Sequence, residues 1–361
     1  MSDHLELYKK YRPKTWKGIV GQDKVVNSLR TAVAKDRVPT AYAFLGDRGC
    51  GKTSAALVLA KSLNCLNVED GNPCNKCDVC KNIDSDSQVG VNYISMANRG
   101  TVDDVREIVQ QARLSAPIKR QVWILDEVHT ISKVAFDALL IPLEDPKMPS
   151  LFILCSTEVS KIPATILSRV QSRKFSLVSS ETMEKYLTAV MKKESITLDD
   201  EEVKSIIRQG RGSVRDTLTT LERVLETGES TEFANYGGRL LDALSSHSIG
   251  KSLAVIAEAS VVDSANGRDL AEQLFEDLRD LLLANADCDP SLFPNLPVEN
   301  PKDLAEKMLG ARGLGLLIDE VGDSLTRMQL GSDPRIHLEI AIVNGLQKLR
   351  ALQARMSARG K

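Results

Sequence analysis

Gly46-Asp47-Arg48-Gly49-Cys50-Gly51-Lys52-Thr53 is the stretch on which the fold of this chain turns. It fits the phosphate-binding pattern G-x-x-x-x-G-K-[ST]. Its flanks are as informative, because the apolar run 41–45 precedes it and the helix-like run 54–63 follows. A loop between a buried strand and a helix aims the first free N–H groups of that helix at an anion. Gly46, Gly49 and Gly51 let the backbone close around phosphate oxygens, with Cys50 and Ser54 completing the loop lining. Lys52 brings positive charge to the β- and γ-phosphates, and Thr53 offers a hydroxyl to Mg²⁺. The competing reading is a glycine-rich turn that only caps a helix. The strand–loop–helix setting favours a nucleoside triphosphate as the ligand.

With 361 residues, the chain is long enough for two or three domains. Its 42% hydrophobic and 27% charged residues describe a folded rather than a disordered protein, and 4% aromatics point to aliphatic helix packing. A net charge of -2 supplies no global nucleic-acid signature, so any DNA contact must come from local Lys and Arg clusters. The opening residues lack a basic region followed by an apolar stretch, and no run reaches the roughly 18 apolar residues of a membrane span. The expectation is a cytoplasmic protein with no membrane contact. Seven cysteines in a reducing compartment argue against a disulfide framework.

Four of those cysteines cluster as Cys65 and Cys74-x-x-Cys77-x-x-Cys80, with Gly71, Asn72 and Pro73 supplying a turn. Short C-x-x-C turns present thiolates in pairs, as a tetrahedral structural Zn²⁺ requires. An iron–sulfur run would continue with x-x-x-Cys-Pro, whereas Lys81-Asn82-Ile83-Asp84 follows here. Cys50, Cys155 and Cys288 stand alone and read as small packing residues.

Before the loop, the basic and aromatic segment 7–16 leads to Gly21-Gln22 and a helical pattern in Val25, Leu29, Ala32 and Val33. Tyr8, Arg12, Pro13, Ile19 and Val20 are expected to form one wall of an adenine pocket, while Lys9 and Lys10 read as a solvated face. After the cysteines, 91–95 reads as a strand, 101–114 as a helix, and 122–125 as a strand ending in Asp126-Glu127. Such apolar strands suit a parallel sheet buried on both faces, with ligands at the strands' carboxyl ends. Two acids there can cap a helix. Beside a phosphate loop, Asp126 is expected to hold Mg²⁺ through water and Glu127 to polarise the attacking water. His129 reads as a local hydrogen-bonding residue. A helix over 132–143, stopped at Glu144-Asp145-Pro146, leads to a strand over 151–157, which puts the Thr157 hydroxyl at another carboxyl end. Arg169 falls near the end of a short helix after Pro163, where its charge complements the helix dipole.

From about residue 179, strand–helix alternation gives way to helices over 181–195, 199–209, 213–226 and 230–244. Ser213 caps the third of these, so Arg215 sits in a first turn that disfavours cations, a hint of a functional task. The remainder is helical except for a break at 287–302, where Pro290, Pro294, Pro297 and Pro301 fall close together. Leu338, Ile342, Leu346, Leu349, Leu352 and Met356 form one stripe on the last helix, either core or a self-association surface.

Lys10-Tyr11-Arg12-Pro13, Val20-Gly21-Gln22, the phosphate loop, the Cys65/74/77/80 module, Asp126-Glu127-Val128-His129, Thr157, Ser168-Arg169 and Gly212-Ser213-Val214-Arg215-Asp216 together resemble the gamma/tau family of bacterial clamp-loader subunits, within the AAA+ ATPases. The cysteine module is the most discriminating part. The resemblance implies an α/β AAA+ nucleotide-binding domain over 1–178, with a parallel sheet, helices on both faces and the zinc module at 65–80. An all-α lid over 179–244 and an all-α collar over 245–361 would follow. It implies that Thr157 and Arg215 sense the nucleotide and that Arg169 is an arginine finger acting on a neighbouring subunit. It further implies ATP-driven loading of a sliding clamp onto primer–template DNA. The implied partners are copies of the chain and delta- and delta-prime-type subunits. Arg99, Arg106 and Lys133 are the candidate DNA contacts. A non-catalytic stator of the same assembly and a branch-migration helicase are the alternatives. The chain departs from the family pattern at Val170, which follows Ser-Arg where Cys is usual, and at Asp47 and Cys50 in the loop. Ending after the collar, it resembles the short gamma form, or a truncated or phage-encoded counterpart.

Overall fold

Strand β1 (Ala41–Leu45) is buried at every position, as a strand covered on both faces must be. Around it lie β2 (Val91–Ser95), β3 (Gln121–Asp126), β4 (Ser150–Ser156) and β5 (Gln171–Lys174). All pairings are parallel, in the order β2-β3-β4-β1-β5. The computed structural model describes residues 6–359 except 86, 88–89, 115–117, 146, 228–235, 263–266, 290–295, 297, 299 and 329–332. Pro146, Ser230, Pro290, Pro294 and Pro297, invoked above for helix bounds and breaks, lie outside the described residues.

Two apolar layers sandwich the sheet. The chain enters through the single turn α1 (Leu7–Lys10). One layer is then built by α2 (Asp23–Ala34) and α3 (Lys52–Asn64), whose Leu29, Val58 and Leu59 pack with Tyr42, Phe44, Ile124 and Ile153. Strand side chains alternate between faces, so Ala43, Trp123, Leu125 and Phe152 join the opposite layer. There they meet α5 (Val102–Ala112) and α6 (Lys133–Glu144) through Val105, Ile108, Phe136 and Leu139. Between these layers in sequence sits the short α4 (Asp78–Asp84), which follows the cysteine turns. Thr101 opens α5 with a reciprocal capping box to Asp104.

Strand β5 escapes the hydrophobic pattern. Its sequence, Gln171-Ser172-Arg173-Lys174, is polar because it pairs only with β1 and lies at the sheet edge. It follows α7 (Ala164–Leu167) and leads to a helical layer of α8 (Ser180–Glu194), α9 (Asp200–Gly210) and α10 (Val214–Thr227). Val178, Leu187, Ile206 and Leu221 form the core of this layer, and Leu7 is buried with them. The N-terminal arm is therefore tied to the helical layer as well as to the sheet. Gln22 reinforces that tie, donating to Ser176 O at 2.6 Å and accepting from Ser176 N at 3.2 Å while almost wholly buried.

The chain divides into two compact units after Glu226. The second holds α11 (Tyr236–Ser245), α12 (Ile249–Val262), α13 (Gly267–Asn285), α14 (Pro301–Lys307), α15 (Gly310–Met328) and α16 (Pro334–Arg359). The expected boundary at 244 needs correction. Tyr236, Leu240 and Leu244 of α11 share a core with Leu274, Leu278 and Leu346, so this helix packs with the C-terminal set rather than closing the preceding layer. Of the stripe on α16, Leu338, Ile342, Leu346 and Leu349 are core, whereas Met356 is exposed. Among the described residues, no helix is long and apolar enough to cross a membrane.

Candidate nucleotide site and cysteine cluster

Parallel register brings the carboxyl ends of the central strands to one edge: Leu45 pairs with Ser156, and Ser95 with Asp126. The loop after β1, the acids after β3 and Thr157 after β4 therefore converge. They line a cavity of about 750 Å³ together with Tyr8, Arg12, Pro13, Ile19 and Val20 from the N-terminal arm and Arg215 from α10. Gly49, Cys50, Gly51, Lys52, Thr53, Ser54, Asp126, Glu127 and Thr157 all line it.

The loop adopts backbone that side chains resist. Gly46 has φ +146°, and a Cβ there would come 2.2 Å from Phe175 O; Gly49 has φ +76°, and its Cβ would meet Ser213 Oγ at 1.9 Å. Gly46 thus serves the loop by packing beneath it, against the chain leaving β5, rather than by lining the cavity. Gly46→Ala is expected to destabilise the first unit by about 2–4 kcal/mol, read as a lowered urea midpoint at unchanged slope. An unaltered midpoint would refute the close approach.

Lys52 is almost fully buried, and its ammonium donates to Gly46 O and Asp47 O, each at 2.6 Å. Cys50 donates its thiol to Asp47 O at 2.8 Å, and burial pushes that thiol's pKa up. Thr53 Oγ1 donates to Asp126 Oδ2 at 2.9 Å, and Glu127 N donates to Asp126 Oδ1 at 2.9 Å. Glu127 has φ +55° and ψ 40°, a left-handed turn that leaves its side chain exposed beside the cavity. His129 is local, as expected, with its ring 3.3 Å from Ser156 Oγ and 3.5 Å from Glu158.

Arg215 stands in the first turn of α10, where Ser213 Oγ caps Asp216 N at 3.2 Å. Its guanidinium lies 4.7 Å from the centre of the Tyr8 ring, an attraction that offsets the unfavourable helix dipole. The sequence places Tyr8 in a pocket wall; its pairing with a residue more than two hundred positions away is legible only in the fold. Arg169 does not reach this cavity. Ion-paired with Glu144, it also donates to Thr165 O at 2.7 Å. Arg99 pairs with Glu107 at 3.5 Å and Arg106 with Asp103 at 3.2 Å, while Lys133 is exposed at the start of α6. Tyr93 and Asp84, unmarked by any motif, also line the cavity.

The four thiols of Cys65, Cys74, Cys77 and Cys80 lie within 4.8 Å of one another. Sulfurs bound about 2.3 Å from a tetrahedral Zn²⁺ are about 3.8 Å apart, so the cluster is of the right size. Backbone N–H groups of Lys76 and Cys77 point at the Cys74 sulfur from 3.4 and 3.3 Å and hold its pKa down at about 6. Burial pushes the Cys80 and Cys65 thiols the other way. A donor set that needs charge neutralisation, yet solvates its sulfurs with amides, can hold a soft cation.

Fold and loop define the class: a parallel α/β protein with a phosphate-binding loop, flanked by helical layers. A family profile described as "DNA polymerase III, delta subunit" matches residues 21–179. The DNA polymerase III subunit gamma/tau of Mycobacterium tuberculosis is 32% identical, covering 93% of this chain and 61% of the relative. The DNA polymerase III subunit tau of Bacillus subtilis is 31% identical, with 93% and 62% covered. The gamma subunit of Buchnera aphidicola is 38% identical over 62% of each chain. The chain is a homologue of the gamma/tau subunits of bacterial DNA polymerase III, and it spans about three-fifths of the length of the Mycobacterium and Bacillus relatives. Among solved structures, the Thermotoga maritima RuvB Holliday junction branch migration motor aligns at TM-score 0.46 and 15% identity, over 82% of this chain and 91% of that one. The Bacillus subtilis DNA clamp loader delta protein aligns at TM-score 0.37 and 12% identity, over 89% and 99%.

Proposed function

We propose that the chain is an ATPase motor subunit of a sliding-clamp loader, organised as a nucleotide-binding domain, a helical lid and an oligomerisation collar. The observation that carries this reading is the convergence of Lys52, Thr53, Asp126, Glu127, Thr157 and Arg215 on one cavity, with Arg169 held elsewhere. Homology to gamma/tau subunits supports it.

In this reading the purine lies against Arg12, Pro13, Ile19 and Val20, and the triphosphate runs along the loop toward the strand ends. Lys52 turns from the loop carbonyls to the β- and γ-phosphate oxygens, exchanging two neutral acceptors for charged ones. Thr53 and Asp126 would hold Mg²⁺, which when bound neutralises charge developing on the phosphate oxygens. Glu127 orients the attacking water and accepts its proton, while Thr157 and Arg215 engage the γ-phosphate from the sheet and the lid. Arg169 supplies positive charge to the site of a neighbouring subunit, so hydrolysis depends on assembly. Cys65, Cys74, Cys77 and Cys80 would hold a structural Zn²⁺ that braces the segment between α3 and β2. Arg99, Arg106 and Lys133 are assigned to primer–template phosphates.

The test is ATPase activity of the chain assembled with delta- and delta-prime-type subunits, with and without clamp and primer–template DNA. Stimulation by clamp and DNA together is expected; a rate indifferent to both would refute clamp loading. Arg169→Ala should leave ATP affinity of the isolated chain intact and cut turnover of the assembly by about 10³-fold or more.

A further inference from the structure

Tyr93 belongs to no motif, yet it touches the most constrained carboxylate of the candidate site. It lies on the edge strand β2 opposite Ile124 of β3, one pleat before the Ser95 and Asp126 pair. Diagonal neighbours on one sheet face are within reach of an aromatic side chain. The Tyr93 hydroxyl uses that reach, donating to Asp126 Oδ2 at 2.8 Å.

The same oxygen accepts Thr53 Oγ1 at 2.9 Å, and the other oxygen accepts Glu127 N at 2.9 Å. Three donors therefore fix both the plane and the depth of the Asp126 carboxylate. They are not equivalent once Mg²⁺ enters. Thr53 must serve both groups at once, a lone pair to the cation and its proton to Asp126, so its position is tied to the ion. Tyr93 has no such duty: its ring is anchored on a strand, and its hydroxyl can keep the carboxylate in place throughout.

We infer that Tyr93 is a positioning residue for the cation site, holding Asp126 in the orientation that receives Mg²⁺ with the nucleotide. The inference rests on the reading of the cavity as an Mg²⁺–ATP site. Outer partners of ligating carboxylates are worth roughly 10- to 100-fold in metal affinity. Tyr93 is 45% exposed and its bond is solvent-accessible, which puts the effect at the lower end, about tenfold.

The experiment titrates Mg²⁺ against the full chain with a fluorescent ATP analogue, and repeats the titration with Mn²⁺ read by electron paramagnetic resonance. Tyr93→Phe keeps the ring and removes only the hydroxyl. It should raise the half-saturating concentration of either cation about tenfold, with nucleotide affinity in EDTA and melting temperature unchanged. In an Asp126→Asn background, the same change should have no additional effect on cation dependence. A cation midpoint unaltered by Tyr93→Phe overturns the inference while leaving the nucleotide site standing. So does equal loss of nucleotide affinity in EDTA, which would make Tyr93 a wall of the pocket only. If the wild-type chain binds the analogue with no cation dependence at all, the Mg²⁺–ATP reading falls and this inference with it.

Discussion

Glu127→Gln is expected to lower ATP turnover of the assembled complex by roughly 10²- to 10⁴-fold while leaving nucleotide affinity within about twofold. The change is nearly isosteric and removes only the carboxylate's capacity to accept a proton. Nothing around the residue should collapse, because its side chain is exposed and its structural duties belong to the backbone. The N–H bonds Asp126 Oδ1 at 2.9 Å, and the carbonyl accepts Thr130 Oγ1 at 2.8 Å. A left-handed φ of +55° at a non-glycine residue carries a conformational cost, and it aims the side chain while the neighbouring acid stays bonded to Thr53. Asp126→Asn should behave differently, weakening cation-dependent nucleotide binding, since in the proposed reading that carboxylate serves the cation rather than the water. Equal loss of binding in both variants would show that the two acids are not divided in this way. Single-turnover hydrolysis and equilibrium binding, measured on the same preparations, separate the cases.

Much of the fold and of the placement of these residues was legible before any coordinates. A glycine-rich loop between an apolar run and a helix has few structural outcomes, and β1, β3 and β4 are buried strands whose hydrophobicity announces them. The cysteine spacing similarly forces convergence on one point. What stayed hidden was either polar or distant. β5 carries no apolar pattern because only one neighbour and no second layer demand it. The expected boundary at 244 differs from the division after Glu226 because the amphipathic stripe of α11 shows that one face is buried without saying against which helices. Tyr93 reads as an ordinary strand aromatic until the register with β3 sets its hydroxyl beside Asp126. Asp84 was seen only as a residue too plain to continue a cluster-binding motif, yet it reaches the far end of the loop helix.

That last contact supports the second large effect: Asp84→Ala should destabilise the first unit by about 3–5 kcal/mol. Lys61, in the last turn of α3, has a side chain only 1% exposed, and its ammonium bonds Asp84 Oδ1 at 2.7 Å and Lys14 O at 3.2 Å. Removing the carboxylate strands a buried charge with one neutral acceptor, the arrangement in which breaking an ion pair is most costly. Lys61→Met should cost less, because the carboxylate it abandons is 23% exposed and can turn to water. The double variant should recover part of the Asp84→Ala loss, a coupling that a double-mutant cycle reads directly. For a unit of this size the single change corresponds to a melting temperature lowered by roughly 6–20 °C. The pair also links the two sites. Asp84 ends α4, whose first turn carries Cys80, so the cysteine cluster fixes one end of a helix and Asp84 anchors the other to the loop helix. In the proposed reading of the cluster as a Zn²⁺ site and the cavity as an ATP site, a chelator should therefore lower the melting temperature of the wild type and reduce its affinity for ATP. In the Asp84→Ala protein, chelation should have a smaller additional effect on ATP affinity, because the connection to α3 is already cut. An equal effect of chelation on ATP affinity in both proteins would show that the cluster braces the chain by a route that does not pass through Lys61.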